Sequence, residues 1–292
     1  MIEFLVLPAI ALSCVLGSSF LSFKWGLRAL FVLVPVGLSA FVVGYFSGNA
    51  LFFAIPVFLG AFAGYTLKAD KSLQFFVLIS AFITSLLYTG NFYYLKEVKN
   101  IDMVQTAKEK MIETFNASDL SSEKKTEVLA SLNQVMSITE KIIPFSTFIY
   151  SLFFSFLSFF VVKMFLSKFK DISQIKGIEL FRVHDHTVFV LIVGIAAMLF
   201  FDVEGDPVIF LMGLNAVLIT AVLYFLQAMG IIGFFLIKKG LPLYIIPVLM
   251  GLLFFAGAYV VVFITIIFAG LGTLDLWADF RKIGNPESKK MK

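Results

Sequence analysis

Near its C-terminal end the chain carries LDLWADFRK, Leu274 to Lys282, where two carboxylates and a guanidinium follow a long uncharged run. Asp275 and Asp279 are four residues apart and so share a face if the segment is helical. With Arg281 they could hold a metal ion or a phosphate at a membrane surface. The same spacing places the Trp277 ring beside the Arg281 guanidinium, which suits a segment anchored among lipid headgroups. His184-Asp185-His186 is the other cluster of metal-capable side chains. Neighbours two apart point to different sides of a helix, unlike the i, i+4 histidines of HExxH. Capping is the simpler role, with Asp185 where a helix N-cap is expected, and metal binding or pH sensing is the alternative. Asn215, Tyr224 and Gln227 lie within a long apolar run. They could line a pocket for a small polar solute, or Asn215 and Gln227 could serve as interhelical hydrogen bonds worth about 0.6–2 kcal/mol each.

No P-loop, GxSxG, zinc ribbon or dinucleotide fingerprint occurs in the sequence. Cys14 is the single cysteine, which excludes a disulfide and a cysteine-based metal cluster. No catalytic residue, metal site or cofactor is therefore expected, and the protein is read as a non-enzyme. An ATPase driving any transport would be another chain.

These groups must be positioned by elements suited to lipid. Of 292 residues 60% are hydrophobic and 14% charged, Phe contributes 37, and mean hydropathy is +0.98. Uncharged runs cover 4–23, 29–67, 72–95, 142–162, 186–201, 207–237 and 240–274, and most exceed the roughly 20 residues that cross a bilayer core. Gly48-Asn49 divides the longest run. The expectation is an all-α, polytopic transmembrane bundle of eight spans near 4–22, 29–47, 51–67, 73–94, 143–165, 187–201, 208–236 and 242–270, the last kinked by Pro247, Gly251 and Gly257. The start of the chain lacks a basic n-region and reads as a first span. A net charge of +4 with pI near 9.0 fits anionic lipid, not nucleic acid.

Between spans four and five lies a polar insert, Lys96 to Lys141. Ile101, Val104, Met111 and Phe115 form one helical stripe and Val128, Leu132, Val135 and Ile142 another, separated by the cap-rich NASDLSSE. This predicts an extramembrane helical hairpin. The domains read as 1–95, a four-span region; 96–141, the hairpin; 142–273, a second four-span region; and 274–292, an amphipathic basic tail. Lys and Arg concentrate in the short loops after spans one, three, five and seven, which places those loops in the cytoplasm and the hairpin outside; the eight-span count leaves the basic tail on the outer side, against that rule. On span one, Ala9, Ser13 and Gly17 lie four apart, as do Gly60 and Gly64 on span three. Such faces allow close helix approach, either within the bundle or toward a partner subunit.

YFLQAMGIIGFFLIKKGLP (224–242), FRVHDHTVFVLIV (181–193), IIPFSTFIYSLFFSFLSFFVVKMFL (142–166) and LGTLDLWADFRK (271–282) together resemble the YybS-like family of bacterial inner-membrane proteins, a domain of unknown function. The tail is the most specific piece, through Asp275, Trp277, Asp279, Phe280 and Arg281. Gln227-Ala228 and His184-Asp185-His186 depart from the family pattern. That family is in turn distantly similar to the substrate-binding membrane components of energy-coupling-factor transporters. The resemblance implies a multi-pass protein of the inner membrane with an uncharacterised function; a solute-binding protein dependent on a partner membrane subunit or ATPase for energy is the first reading. A scaffold recruiting envelope-assembly proteins through the hairpin is the alternative. An enzyme acting on lipid-linked substrates would need Asp275, Asp279 and Arg281 exposed to headgroups.

Overall fold

A computed structural model describes residues 2–46, 50–116, 122–168, 178–202, 206–242, 245–246, 248 and 258–282. Every regular element among them is helical: α1 (Ile2–Trp25), α2 (Leu30–Phe46), α3 (Ala50–Lys68), α4 (Leu73–Glu97), α5 (Met103–Asn116), α6 (Ser122–Lys141), α7 (Ile143–Leu166), α8 (Thr187–Phe200), α9 (Pro207–Lys238) and α10 (Ala258–Ala278). A backbone in hydrocarbon must satisfy its hydrogen bonds within each segment, which a helix does. Large apolar side chains such as Phe31, Phe160, Phe200 and Phe263 point outward, as lipid-facing groups do.

Four stretches are long and apolar enough to cross a membrane by length and composition: Ile10–Ser39, Leu73–Glu97, Ile143–Leu166 and Pro207–Lys238. Ala54–Lys68, Thr187–Phe200 and Val262–Ala278 are shorter apolar helices. The expected eight full spans are therefore not reached among the described residues. At 1.5 Å per residue the 14 residues of α8 extend only about 21 Å, short of a hydrocarbon core of about 30 Å. The eighth segment also differs. Helix α10 continues to Ala278, beyond the end expected at 270. The proposed kink residues Pro247, Gly251 and Gly257 lie outside the described residues, as do Gly48 and Asn49.

The chain packs as two units, residues 1–68 with 77–168, and residues 69–76 with 169–292. In the first, α3 lies against α1, α2 and α7. Gly60 and Gly64 make the α1 crossing possible: a Cβ on Gly60 would come within 2.2 Å of the Val15 carbonyl oxygen, and one on Gly64 within 2.1 Å of that of Ser19. The face of α1 that meets them is Val15, Ser18, Ser19 and Ser22, all buried. Ser18 and Ser19 donate back to carbonyls of their own helix, Cys14 and Leu16, so no hydroxyl is stranded at the contact. Thr147 on α7 links to Ser85 and Thr89 on α4 at 3.2 and 2.7 Å.

The hairpin also belongs to this unit. Helices α5 and α6 pack on each other, and Asp102 starts α5 by accepting the Gln105 N–H at 2.9 Å. Lys96 binds Glu140 and lies 3.5 Å from Asp102, tying the hairpin base to the end of α4. One stripe shifts from expectation. Ile112, not Met111, turns inward with Val104 and Phe115, and Met111 and Val135 are exposed.

Candidate functional site

In the second unit, α9 packs against α8 and α10. Gly194 and Gly213 face each other across the α8 contact, where a Cβ on either would lie 3.0 or 2.8 Å from the other's carbonyl oxygen. On the other side Gly272 of α10 meets α9 so closely that a Cβ would fall 1.9 Å from the Tyr224 carbonyl oxygen. These close crossings set α9 as the backbone of the unit, with buried Gln227, Asp275 and Arg281 gathered at its C-terminal half.

That interior begins with a problem of backbone chemistry. After a 3-10 turn at Ile178–Leu180, closed by the Phe181 N–H donating to the Ile178 carbonyl at 2.9 Å, the chain runs without helical hydrogen bonds through Arg182 and Val183, yet Phe181 and Val183 are buried. Peptide groups placed there need partners from side chains. Gln227 on α9 accepts the Val183 N–H at 2.7 Å. Gln74, at the start of α4, accepts the Arg182 N–H at 3.0 Å and donates its amide to the Arg182 carbonyl. Arg281 donates one nitrogen, Nη1, to the carbonyls of Glu179 and Phe181 at 3.0 and 2.8 Å.

The guanidinium reaches those carbonyls because α10 ends in a hook. Asp279 adopts a left-handed φ of 39° and Lys282 one of 53°; aspartate tolerates this region better than most residues. The reversal lets the Phe280 N–H donate to Asp275 Oδ1 at 2.9 Å and turns Arg281 back under the helix, where Nη2 meets Asp275 Oδ2 at 2.7 Å. Gln227 Nε2 completes the cluster at 3.0 Å from the same oxygen. Both charged side chains are almost wholly buried, at 0% and 2% exposure, a condition that demands close pairing; Arg281 Nη1 and Nη2 are both engaged, and Nε is buried with no hydrogen-bond partner among the described residues. Gly230 provides the floor. A Cβ there would lie 2.7 Å from the Ile178 carbonyl oxygen and 3.1 Å from Arg281 Nη1, so only glycine lets the turn and the guanidinium rest on α9.

This arrangement corrects several expectations. Asp275 and Asp279 do not share a helix face, because the helix stops between them: Asp275 turns inward to Arg281, and Asp279 lies 3.9 Å from Arg182. Trp277 and Arg281 do not stack, since the ring is exposed and the guanidinium buried. With both acids directed to arginines inside the unit, an enzyme site for lipid-linked substrates is not formed by them. Asp185 does not cap α8 with its side chain. It faces Arg182 at 3.4 Å, and His186 holds the N-cap position without a side-chain bond. His184 Nδ1 accepts the His186 N–H at 3.3 Å, and among the described residues no group of three or more potential ligands gathers for a metal.

The residues read as solute contacts sit in packed surroundings. Asn215 is buried and donates to the Leu211 carbonyl at 2.8 Å. Gln227 uses its carbonyl oxygen for the Val183 N–H and its amide nitrogen for Asp275. Tyr224 is fully buried, and its hydroxyl has no hydrogen-bond partner among the described residues. A groove of about 390 Å³ does exist in this unit, but it is lined by Ile231, Ile232, Phe235, Leu236, Lys239, Leu241, Leu271 and Phe280, none of those three. On α1, Ser13 and Gly17 are exposed, and a Cβ on Gly17 would meet nothing within 4 Å; the Ala9 side chain is outside the described set.

The sequence reading missed Gln74 and Gly230. Gln74 is the one amide near the N-terminus of its span and Gly230 interrupts a strong helix-forming stretch, and each was a usable signal. Comparison with curated proteins and with solved structures gave no match. Three of the segments on which the resemblance rested, 181–193, 224–242 and 271–282, supply most of the network. A family model described as a predicted membrane protein, DUF2232, matches residues 4–276, and the chain belongs to that family of membrane proteins of unknown function.

Proposed function

We propose that this protein is a non-catalytic subunit of the bacterial cytoplasmic membrane that holds a partner membrane protein against α1. The observation that carries this reading is the division of labour on that helix. Val15, Ser18, Ser19 and Ser22 meet α3, whereas Ile10, Ser13, Gly17 and Phe20 form an exposed face whose centre is the space above Gly17. Between helices in lipid, close approach at small residues is a main source of attraction. Lys24, Arg28 and Lys68, at one end of the first unit, would lie on the cytoplasmic side, and the hairpin outside. In this form the protein is a scaffold, and the hairpin's exposed Met111, Val135 and Ile138 offer envelope proteins a second contact.

A transport-related form has one observation in its favour, the buried Tyr224 hydroxyl with no partner among the described residues. A small solute with a polar edge would satisfy it, with a partner ATPase supplying energy.

Co-purification from native membranes tests the proposal. Gly17→Leu should lose the partner while retaining the thermal stability of the parent, and Ser13→Cys should crosslink to it. Full retention of the partner by Gly17→Leu overturns the reading. A solute that co-purifies with the parent and is lost in Tyr224→Phe selects transport over scaffold.

A further inference from the structure

The groove at the end of α9 is built by a chain reversal. Helix α9 closes with Gly240 in the left-handed region at φ 70°, the Leu241 N–H donating to the Leu236 carbonyl at 2.8 Å and the Gly240 N–H to that of Ile237 at 2.9 Å. This is the Schellman arrangement, in which the residue after the glycine folds back on the last turn. It sets Leu241 beside Leu236. Facing them across the groove is the end of α10, with Leu271 and then Phe280, whose position is fixed by its N–H bond to Asp275.

The lining is apolar apart from Lys239, and the volume falls in the range of about 300–1,000 Å³ in which small-molecule sites occur. Lys238 stands next to Lys239, and both are exposed. Among the described residues no carboxylate lies within ion-pair distance of either. Exposed Trp277 marks the same end of α10 as headgroup depth. An apolar trough ending in two exposed cations at that depth complements a molecule with an aliphatic tail and a negative head.

We infer that this groove binds an anionic phospholipid, one acyl chain lying between Ile231, Leu236 and Leu271 and the phosphate pairing with Lys239. The site is independent of any partner on α1. Because Phe280 forms one wall, binding requires the hook that carries Arg281 to be in place.

Native mass spectrometry of the full chain, released from micelles containing equimolar phosphatidylglycerol and phosphatidylcholine, tests this. The parent should retain one phosphatidylglycerol with at least about fivefold preference, the scale expected of one lysine near a charged headgroup. Lys239→Gln, a surface change that leaves the fold intact, should reduce that preference to near parity. Leu271→Trp, which fills the trough, should lower retention of both lipids. Equal retention of the two lipids by the parent, or an unchanged preference in Lys239→Gln, overturns the proposal.

Discussion

Replacing Arg281 by methionine removes the guanidinium while keeping a side chain of similar reach, and the structure sets the scale of the loss. Three hydrogen bonds vanish: one to Asp275 at 2.7 Å, and two to the carbonyls of Glu179 and Phe181. Asp275 keeps the Phe280 N–H and the Gln227 amide but is left as a buried carboxylate without its countercharge. Breaking a buried pair from one side costs about 3–5 kcal/mol, since the remaining charge stays desolvated. Asp275→Leu alone strands the arginine and should cost a similar amount. The double variant should lose clearly less than the sum, by about 2–3 kcal/mol, because neither charge is then left alone. Reversible unfolding in mixed micelles, followed by fluorescence, measures all four corners of the cycle. Trp277 is a local reporter, two residues from the hook, and Trp25 is the other tryptophan. A loss below about 1 kcal/mol for Arg281→Met, or strict additivity in the double variant, would refute the view that this pair holds the second unit together.

Gly230→Ala should destabilise by about 1–3 kcal/mol through overpacking against the Ile178 carbonyl, whereas Gly17→Ala, with open space above it, should be neutral or gain up to about 1 kcal/mol from helix propensity; parallel thermal melts distinguish them. Gln74→Leu leaves the Arg182 N–H and carbonyl without their partner, so hydrogen exchange at residues 182–183 should accelerate at least tenfold, corresponding to about 1.4 kcal/mol, and unchanged exchange counts against the pinning role. Asp102 has its carboxyl held below the ordinary value of 3.8 chiefly by the Gln105 N–H, with Lys96 adding to it. Its folded value is the depressed one, so the stabilisation of α5 is complete above the unfolded value and is lost as pH falls through the folded one. Amide protection in the first turn of α5 should fall in that acid window for the parent, and Asp102→Ala should show weaker protection with no such step.

Helices α1 to α7 fall within a few residues of the positions expected from uncharged runs and from the polar insert, because lipid imposes a length and composition that a sequence displays openly. Gly60 and Gly64 were also readable as a crossing face. The opposite face of α1 was less so, since spacing of four at Ala9, Ser13 and Gly17 does not say whether a neighbour occupies it. The network was hardest. Asp275 and Asp279 follow a helical period, but the reversal at Asp279 breaks it, and a helix end is marked only by residues tolerant of the left-handed region. Gln74 and Arg281 act on backbone groups about 100 residues away, and a side chain that pairs with a peptide group leaves no partner pattern in sequence. Asn215 and Gln227 look alike in their run, yet one bonds its own helix and the other an irregular segment.

The order of synthesis gives the buried 181–183 segment a further consequence. Its Phe181 carbonyl depends on Arg281, which leaves the ribosome 100 residues later, while Gln74 is already made. During translation this stretch therefore has only part of its hydrogen bonding until the hook is made. Closure of the second unit is then a late event of biogenesis, and a chain stalled before residue 281 would present an incompletely buried segment to membrane quality control.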